Sequence, residues 1–141
     1  TMIASTAAIG LMGAASLVST SLQPTLQAGS LWLHATPRLA MELLLMVTLF
    51  ASLVYSVMAV RYYNHAGFIV GMPVGSAQRG VWAASGAVYV RRAGLLYGWG
   101  LRHLVLVAPM LGFIVHPLAG PVAAVMVVVA LWGFDRLAPA H

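Results

Sequence analysis

Residues 39–60 read Leu-Ala-Met-Glu-Leu-Leu-Leu-Met-Val-Thr-Leu-Phe-Ala-Ser-Leu-Val-Tyr-Ser-Val-Met-Ala-Val. This stretch contains one charged residue, Glu42, and neither proline nor glycine. At about 1.5 Å per residue it would form a helix about 33 Å long, and the hydrocarbon core of a bilayer is about 30 Å thick. We therefore predict that residues 39–60 form a transmembrane α-helix.

The composition of the whole chain indicates the same environment. Hydrophobic residues make up 62% of it and charged residues 6%, whereas an average soluble domain is about 25% charged. The net charge of +5 comes from arginines spread along the chain, with no dense patch for a phosphate backbone, so we expect no nucleic-acid partner. The absence of cysteine excludes disulfides and thiolate metal sites. We predict an all-α, multi-pass membrane protein.

Three further apolar stretches complete a prediction of about four spans, at residues 1–21, 95–115 and 119–134. The first is rich in small residues and closes at Gln23-Pro24. The last two are separated by the prolines and glycine of His116–Pro121, because one helix over residues 101–134 would be about 50 Å long.

Residues 62–94 lack a clear span. Glycines and Pro73 interrupt the first half, and the second half mixes arginines with aromatic side chains. That mixture is typical of an amphipathic helix lying in the membrane interface. We therefore predict a loop and an inner-face interfacial helix here, within one transmembrane domain over 1–141. Because Thr1 already lies in an apolar run, we also expect a missing N-terminal segment.

The arginines orient the predicted spans. If the N-terminus is inside, the first loop faces outward with Arg38 alone, while the 61–102 region and Arg136 face inward. Positive residues accumulate in cytoplasmic loops. We therefore expect both ends of the chain on the cytoplasmic side.

Several motifs resemble one known family. They are Arg61-Tyr62-Tyr63-Asn64-His65 with Gly71-Met72-Pro73, Arg91-Arg92-Ala93-Gly94-Leu95-Leu96-Tyr97 with Gly100-Leu101-Arg102, His116-Pro117-Leu118-Ala119, Asp135-Arg136 and the opening Met2-Ile3-Ala4-Ser5-Thr6. Together they resemble the bacterial and plant membrane family called domain of unknown function 599. The chain departs from that family's pattern at Leu104–Val107, where aromatic residues are expected, and at Ile114 and Val115, where a tryptophan is expected. The resemblance supports the membrane architecture and supplies no mechanism. We expect the protein to be integral to a bacterial inner (cytoplasmic or intracytoplasmic) membrane.

Four histidines are weak candidates for metal or haem ligation: His34, His65, His103 and His116. No two histidines have the i, i+4 spacing of a helical metal site, and no carboxylate stands near to orient a ring. We expect no metal and no cofactor. The alternative to ligation is that these histidines lie at the membrane interface and bond to water, headgroups or the backbone.

Two polar sets on the spans are candidates for function. Glu42 is an acid at membrane depth, where such residues serve proton relays, and it could instead pair with Arg38 one turn earlier. Arg102 follows Gly94 and Gly98 at four-residue spacing, so one helical face could meet a partner helix or a lipid. Alternatively, Arg102 reaches the inner headgroups. Arg61 and Asn64 would extend the same inner-face polar cluster.

No catalytic triad, phosphate loop or carboxylate pair is apparent, so we expect no enzyme. The first hypothesis is a non-catalytic accessory or scaffolding subunit of a larger membrane complex of respiratory, photosynthetic or membrane-oxidase type. The second is a small homo-oligomeric transporter or channel lined by Glu42, Arg102 and the histidines. A third is a haem- or quinone-binding redox protein. The expected partners are the lipid bilayer, other transmembrane subunits and anionic lipid headgroups.

Overall fold

The chain folds into four α-helices. A computed structural model describes residues 2–27 and 36–137, apart from the side chains of residues 134, 135 and 137. The helices are α1 (Met2–Gln27), α2 (Pro37–Val70), α3 (Ala77–Val115) and α4 (Ala119–Leu137). No strand occurs within these described ranges. The all-α class predicted from the sequence is confirmed.

The first three helices are each long and apolar enough to cross a membrane, and α4 carries a shorter apolar run, Ala119–Gly133. The protein is therefore an integral membrane protein. With 34 and 39 residues, α2 and α3 are about 51 and 58 Å long, which exceeds the hydrocarbon core of about 30 Å. Both helices must therefore extend beyond the membrane.

Residues 62–94 correct the sequence-based expectation. The loop predicted for the first half is wrong for residues 62–70, which continue α2. The helix predicted for the second half is present, and it is continuous with the following span as the start of α3. The glycines and proline that break the chain are confined to the turn over 71–76. The polar residues after Val60 do not end α2, because a helix can leave the membrane when a neighbouring helix packs along it.

The turn between α2 and α3 is fixed by local hydrogen bonds. Gly75 has a φ of 86°, a left-handed conformation that favours glycine. The Ser76 side chain caps α3 by accepting from the Arg79 N–H at 3.3 Å. The Arg79 guanidinium also donates to the Met72 carbonyl oxygen at 3.1 Å. This arginine therefore stabilises the turn.

Helix α1 also differs from its predicted bounds, since it continues past residue 21 through Pro24 to Gln27. Proline lacks a backbone donor, which weakens a helix without always ending it. One turn is supported by the buried Thr25 hydroxyl, which donates to the Ser21 carbonyl oxygen at 3.2 Å. The helix therefore continues beyond the apolar stretch.

Helices α2 and α3 pack through small residues at seven-residue spacing, which we call the small-residue seam. Its members on α2 are buried: Ser52, Ala59 and Ala66. Its members on α3 are the buried residues of that helix: Gly86, Ala93 and Gly100. Such small side chains let two helices approach closely. The Ser52 hydroxyl donates to the Gly100 carbonyl oxygen at 2.8 Å, so a hydrogen bond across the seam fixes its register.

The outer helices pack beside this pair. Helix α1 runs antiparallel to α2, with Ala14 packed against Leu45 and Leu49. Helix α4 turns back from α3 so tightly that a Cβ on Gly120 would lie 2.8 Å from the Cβ of Phe113. Each helix thus packs mainly on its neighbours in sequence, and α1 meets α3 at few positions.

A valine at Gly100 should destabilise the protein, because a Cβ there would already lie 3.1 Å from the Ser56 Oγ. We expect Gly100→Val to lower the free energy of unfolding by about 1–3 kcal/mol through overpacking. The measurement is unfolding by titration with a denaturing detergent in micelles. The matched control is Gly94→Val, since a Cβ on Gly94 meets no atom within 4 Å. Equal stability of the two variants would contradict close packing of α2 against α3 at Gly100.

Candidate functional site

Three arginines lie at one level of the α2–α3 pair. Ser52 contacts Gly100, and one heptad further along the antiparallel pair Ala59 comes opposite Ala93. This register places Arg61 on α2 at the same level as Arg91 and Arg92 on α3. All three are exposed, and the described residues provide no ion pair for any of them. We call this level the arginine end.

The arginine end falls at the expected membrane surface. Arg61 lies about 33 Å along α2 from Leu39, which matches the thickness of a bilayer core. The hairpin formed by the end of α2, the turn and the start of α3 then lies outside the hydrocarbon. Pro37, Val115 and Ala119 mark the opposite end of the bundle.

Aromatic rings follow the seam on both sides of this level. Tyr89 lies 6.0 Å from Tyr62 and 5.8 Å from His65, between ring centroids. Deeper in the bundle, His103 lies 5.2 Å from Tyr55 and 6.1 Å from Trp99. Tyrosine and tryptophan favour the headgroup level, because their rings have an apolar body and a polar edge. This set of rings was not predicted from the sequence, although Tyr55 and Tyr62 have the seven-residue spacing of the seam.

Two open cavities meet at Arg92. The aromatic groove has a volume of about 450 Å³ and is lined by Tyr55, Tyr62, Arg92, Leu95, Leu96 and Trp99. The polar groove has a volume of about 340 Å³ and is lined by Ala84, Ser85, Val88, Tyr89 and Arg92. The polar groove lies on the hairpin side of Arg92 and the aromatic groove on the membrane side. Arg92 therefore stands where a polar surface gives way to an apolar one.

Glu42 lies near the opposite end and is buried. Its side chain is 1% exposed, and its Oε1 accepts from the Arg38 Nε at 3.1 Å. The structure thus brings these two residues together. The second carboxylate oxygen, Oε2, is buried and has no hydrogen-bond partner in the described part of the chain. A buried polar atom without a partner costs about 1–3 kcal/mol, and more when it is charged.

Gly94, Gly98 and Arg102 lie on a face of α3 that no described residue covers closely. A Cβ on either glycine would meet no atom within 4 Å. Arg102 is exposed, and its guanidinium carbon lies 5.7 Å from the centroid of the Trp99 ring. Arg61 and Asn64 are exposed on α2, but Arg61 is about 16 Å from the level of Arg102. The structure does not bring these two sets together.

The histidines take separate positions. His65 and His103 contact aromatic rings, and the His103 Nδ1 donates to the Trp99 carbonyl oxygen at 2.8 Å. The His116 Nδ1 accepts from the Leu118 N–H at 3.2 Å in the turn before α4. His34 lies outside the described residues. Among the residues that are described, no three His, Asp or Glu side chains form a group that could hold a metal ion.

A family model with the description "Protein of unknown function, DUF599" matches residues 1–140. The resemblance inferred from the motifs is therefore confirmed over nearly the whole chain. No curated protein and no solved structure matches the chain. That description names no activity.

Removing the guanidinium of Arg38 should destabilise the protein, because it leaves both Glu42 oxygens buried without a partner. We expect Arg38→Ala to cost about 1–3 kcal/mol of unfolding free energy. Glu42→Leu should be neutral or stabilising, because apolar replacements of buried ion pairs often are. Arg38→Ala added to Glu42→Leu should then have little effect.

The same detergent titration measures all three variants as a double-mutant cycle. If Arg38→Ala costs as much in the Glu42→Leu background as in the wild type, the ion pair is not what Arg38 contributes.

Proposed function

The chain belongs to the DUF599 family, and we propose that it is a non-catalytic accessory or scaffolding subunit of a larger membrane protein complex. The observation that carries this proposal is the open face of α3 formed by Gly94, Gly98 and Arg102, where added side chains at the glycines would meet nothing. Glycines at four-residue spacing are typical of sites where transmembrane helices meet. A helix of another subunit is the occupant that fits this face.

The position of Arg102 supports a protein partner. Arg102 lies about 15 Å along α3 from Arg92, which places its backbone below the membrane surface. A charged residue in the hydrocarbon costs up to about 2.5–3.5 kcal/mol at the centre of a helix. Its side chain reduces that cost by reaching back over Trp99 toward the arginine end. A carbonyl or carboxylate on a partner helix would reduce it further.

Helix α4 leaves room for such a partner. It packs on this side of α3 near the opposite end, where Gly112 and Ala119 are in close contact. Toward the arginine end a cavity of about 370 Å³ opens between the two helices, lined by Val105, Ala108, Ala123, Met126, Val127, Ala130 and Leu131. Almost all of these side chains are aliphatic. An apolar cavity of this kind is suited to packing against another helix.

We further propose a bacterial inner membrane as the location, with the arginine end on the cytoplasmic side. Arg61, Arg91 and Arg92 would then follow the positive-inside rule. Arg136 lies about 25 Å along α4 from Ala119, so it returns toward the same end. The host complex would be of respiratory, photosynthetic or membrane-oxidase type.

A small homo-oligomeric transporter or channel is the second candidate, and the buried Glu42 favours it. Carboxylates without full partners at membrane depth are candidates for ion or proton binding. The geometry gives this candidate less support, because Glu42 lies about 11 Å along the bundle from the level of Arg102 and His103. Those three side chains would have to be connected by groups from another copy.

Blocking the open face should disrupt assembly and leave the isolated chain folded. We expect the double variant Gly94→Leu, Gly98→Leu to lose other transmembrane subunits that remain bound to the wild type after gentle solubilisation. The measurement is native mass spectrometry of the tagged protein purified from its own membrane. The matched control is Gly80→Leu, which lies on the same side of α3 about 21 Å away, beyond the membrane surface.

Two results would contradict the proposal. One is a wild-type assembly built only from copies of this chain, which would favour the transporter. The other is a set of bound subunits that stays unchanged in the double variant, which would show that capture does not depend on this face.

A further inference from the structure

We propose that the aromatic groove and the polar groove together bind one acidic phospholipid, with its phosphate at Arg92. This site lies on a different face of α3 from Gly94 and Gly98 and requires no partner subunit. It therefore goes beyond the proposed function and can be tested on the isolated chain.

The described residues provide no anion at the level of Arg92. Arg92 is exposed, and none of the described residues gives its guanidinium a hydrogen bond or an ion pair. The acids of the whole chain are Glu42 and Asp135, and Glu42 is held by Arg38 at the opposite end. A guanidinium binds phosphate well, because its planar fork can donate two parallel hydrogen bonds.

The two grooves place a polar surface next to an apolar one, in the order of the headgroup and acyl chain of a lipid. On the hairpin side of Arg92, Ser85 and Tyr89 supply hydroxyl groups to the polar groove. On the membrane side, Leu95, Leu96 and Trp99 supply the apolar wall of the aromatic groove. These side chains share one face of α3, because their spacings are those of successive helical turns. A lipid with its headgroup in the polar groove and an acyl chain in the aromatic groove matches this order.

The depth of Arg92 fits a lipid phosphate. Arg92 lies level with Arg61, where the length of α2 places the membrane surface. Tyr62 and Tyr89 stack with their centroids 6.0 Å apart at the same level, as expected of rings among headgroups. A free phosphate would use only the polar half of the site, and the Leu95, Leu96 and Trp99 side would contribute nothing to its binding.

The test compares two neighbouring arginines. Arg91 is exposed like Arg92 but lines neither groove, so Arg92→Gln and Arg91→Gln change the net charge equally. The purified chain in neutral detergent is titrated with phosphatidylglycerol or phosphatidylcholine, and lipid adducts are counted by native mass spectrometry. We expect the wild type to retain phosphatidylglycerol preferentially. Arg92→Gln should weaken that retention about tenfold, because a lost hydrogen bond to a charged group has about that effect.

Glycerol phosphate at the same concentration separates the two sources of phosphate. We expect it to leave phosphatidylglycerol bound, because it lacks the acyl chain that the aromatic groove takes. Displacement by glycerol phosphate would overturn the lipid assignment. The proposal would also fail if Arg91→Gln lost as much retention as Arg92→Gln, or if phosphatidylcholine bound as well as phosphatidylglycerol.

A second measurement reports on the apolar half of the site. In a chain whose Trp32, Trp82 and Trp132 are replaced by phenylalanine, Trp99 is the remaining indole. Phosphatidylglycerol with brominated acyl chains should quench its fluorescence at lower concentrations than brominated phosphatidylcholine does. Arg92→Gln should remove that difference, and a difference that persists in this variant would mean that the lipid is held elsewhere.

Discussion

The small-residue seam between α2 and α3 is the constraint on which the rest of the structure depends. Its six side chains range in size from glycine to serine, so the two helices approach closely, and the Ser52–Gly100 hydrogen bond fixes their register. Interhelical hydrogen bonds in membranes contribute only about 0.6 kcal/mol on average. The fit of small residues over two heptads therefore has to supply most of the specificity. That register alone brings Arg61 level with Arg92 and lines the aromatic groove from both helices.

The sequence predicts those features of the fold that depend on hydrophobic length. The apolar run over 39–60 is long enough to span a bilayer and lacks breakers, and the prolines after Val115 end α3 before a hairpin. The length of an apolar run does not show which helices pack against each other. Residues 62–70 have the composition of a loop or an interfacial segment, yet they remain helical because Ala66 and Ile69 pack against α3 at Gly86. Their structure is decided by a neighbour that is distant in sequence.

The same distinction, between contacts within one helix and contacts between helices, separates the candidate sites that were predicted from those that were not. The spacing of Arg38 and Glu42 within one helix was enough to suggest that they pair, because an i, i+4 contact depends on a single helix. The burial of Glu42 depends on the packing of other helices around it, which no pattern within α2 reveals. The aromatic groove was missed for the same reason. Tyr55 and Tyr62 come from α2, Arg92 and Trp99 come from α3, and no local pattern links the two sets.

The seam also explains how one helix can serve two further surfaces. At about 100° per residue, the directions of Ala93, Arg92 and Gly98 around α3 differ by about 110° in succession. One third of the helix packs on α2, one third faces the grooves and one third carries the open glycines. A lipid at Arg92 and a helix at Gly98 would therefore not compete for the same side chains. The contact between Arg102 and Trp99 joins the last two surfaces, so occupancy of one can affect the other through this pair. Such coupling requires the register that the seam sets, because a shift of α3 by one residue would turn these surfaces by about 100°.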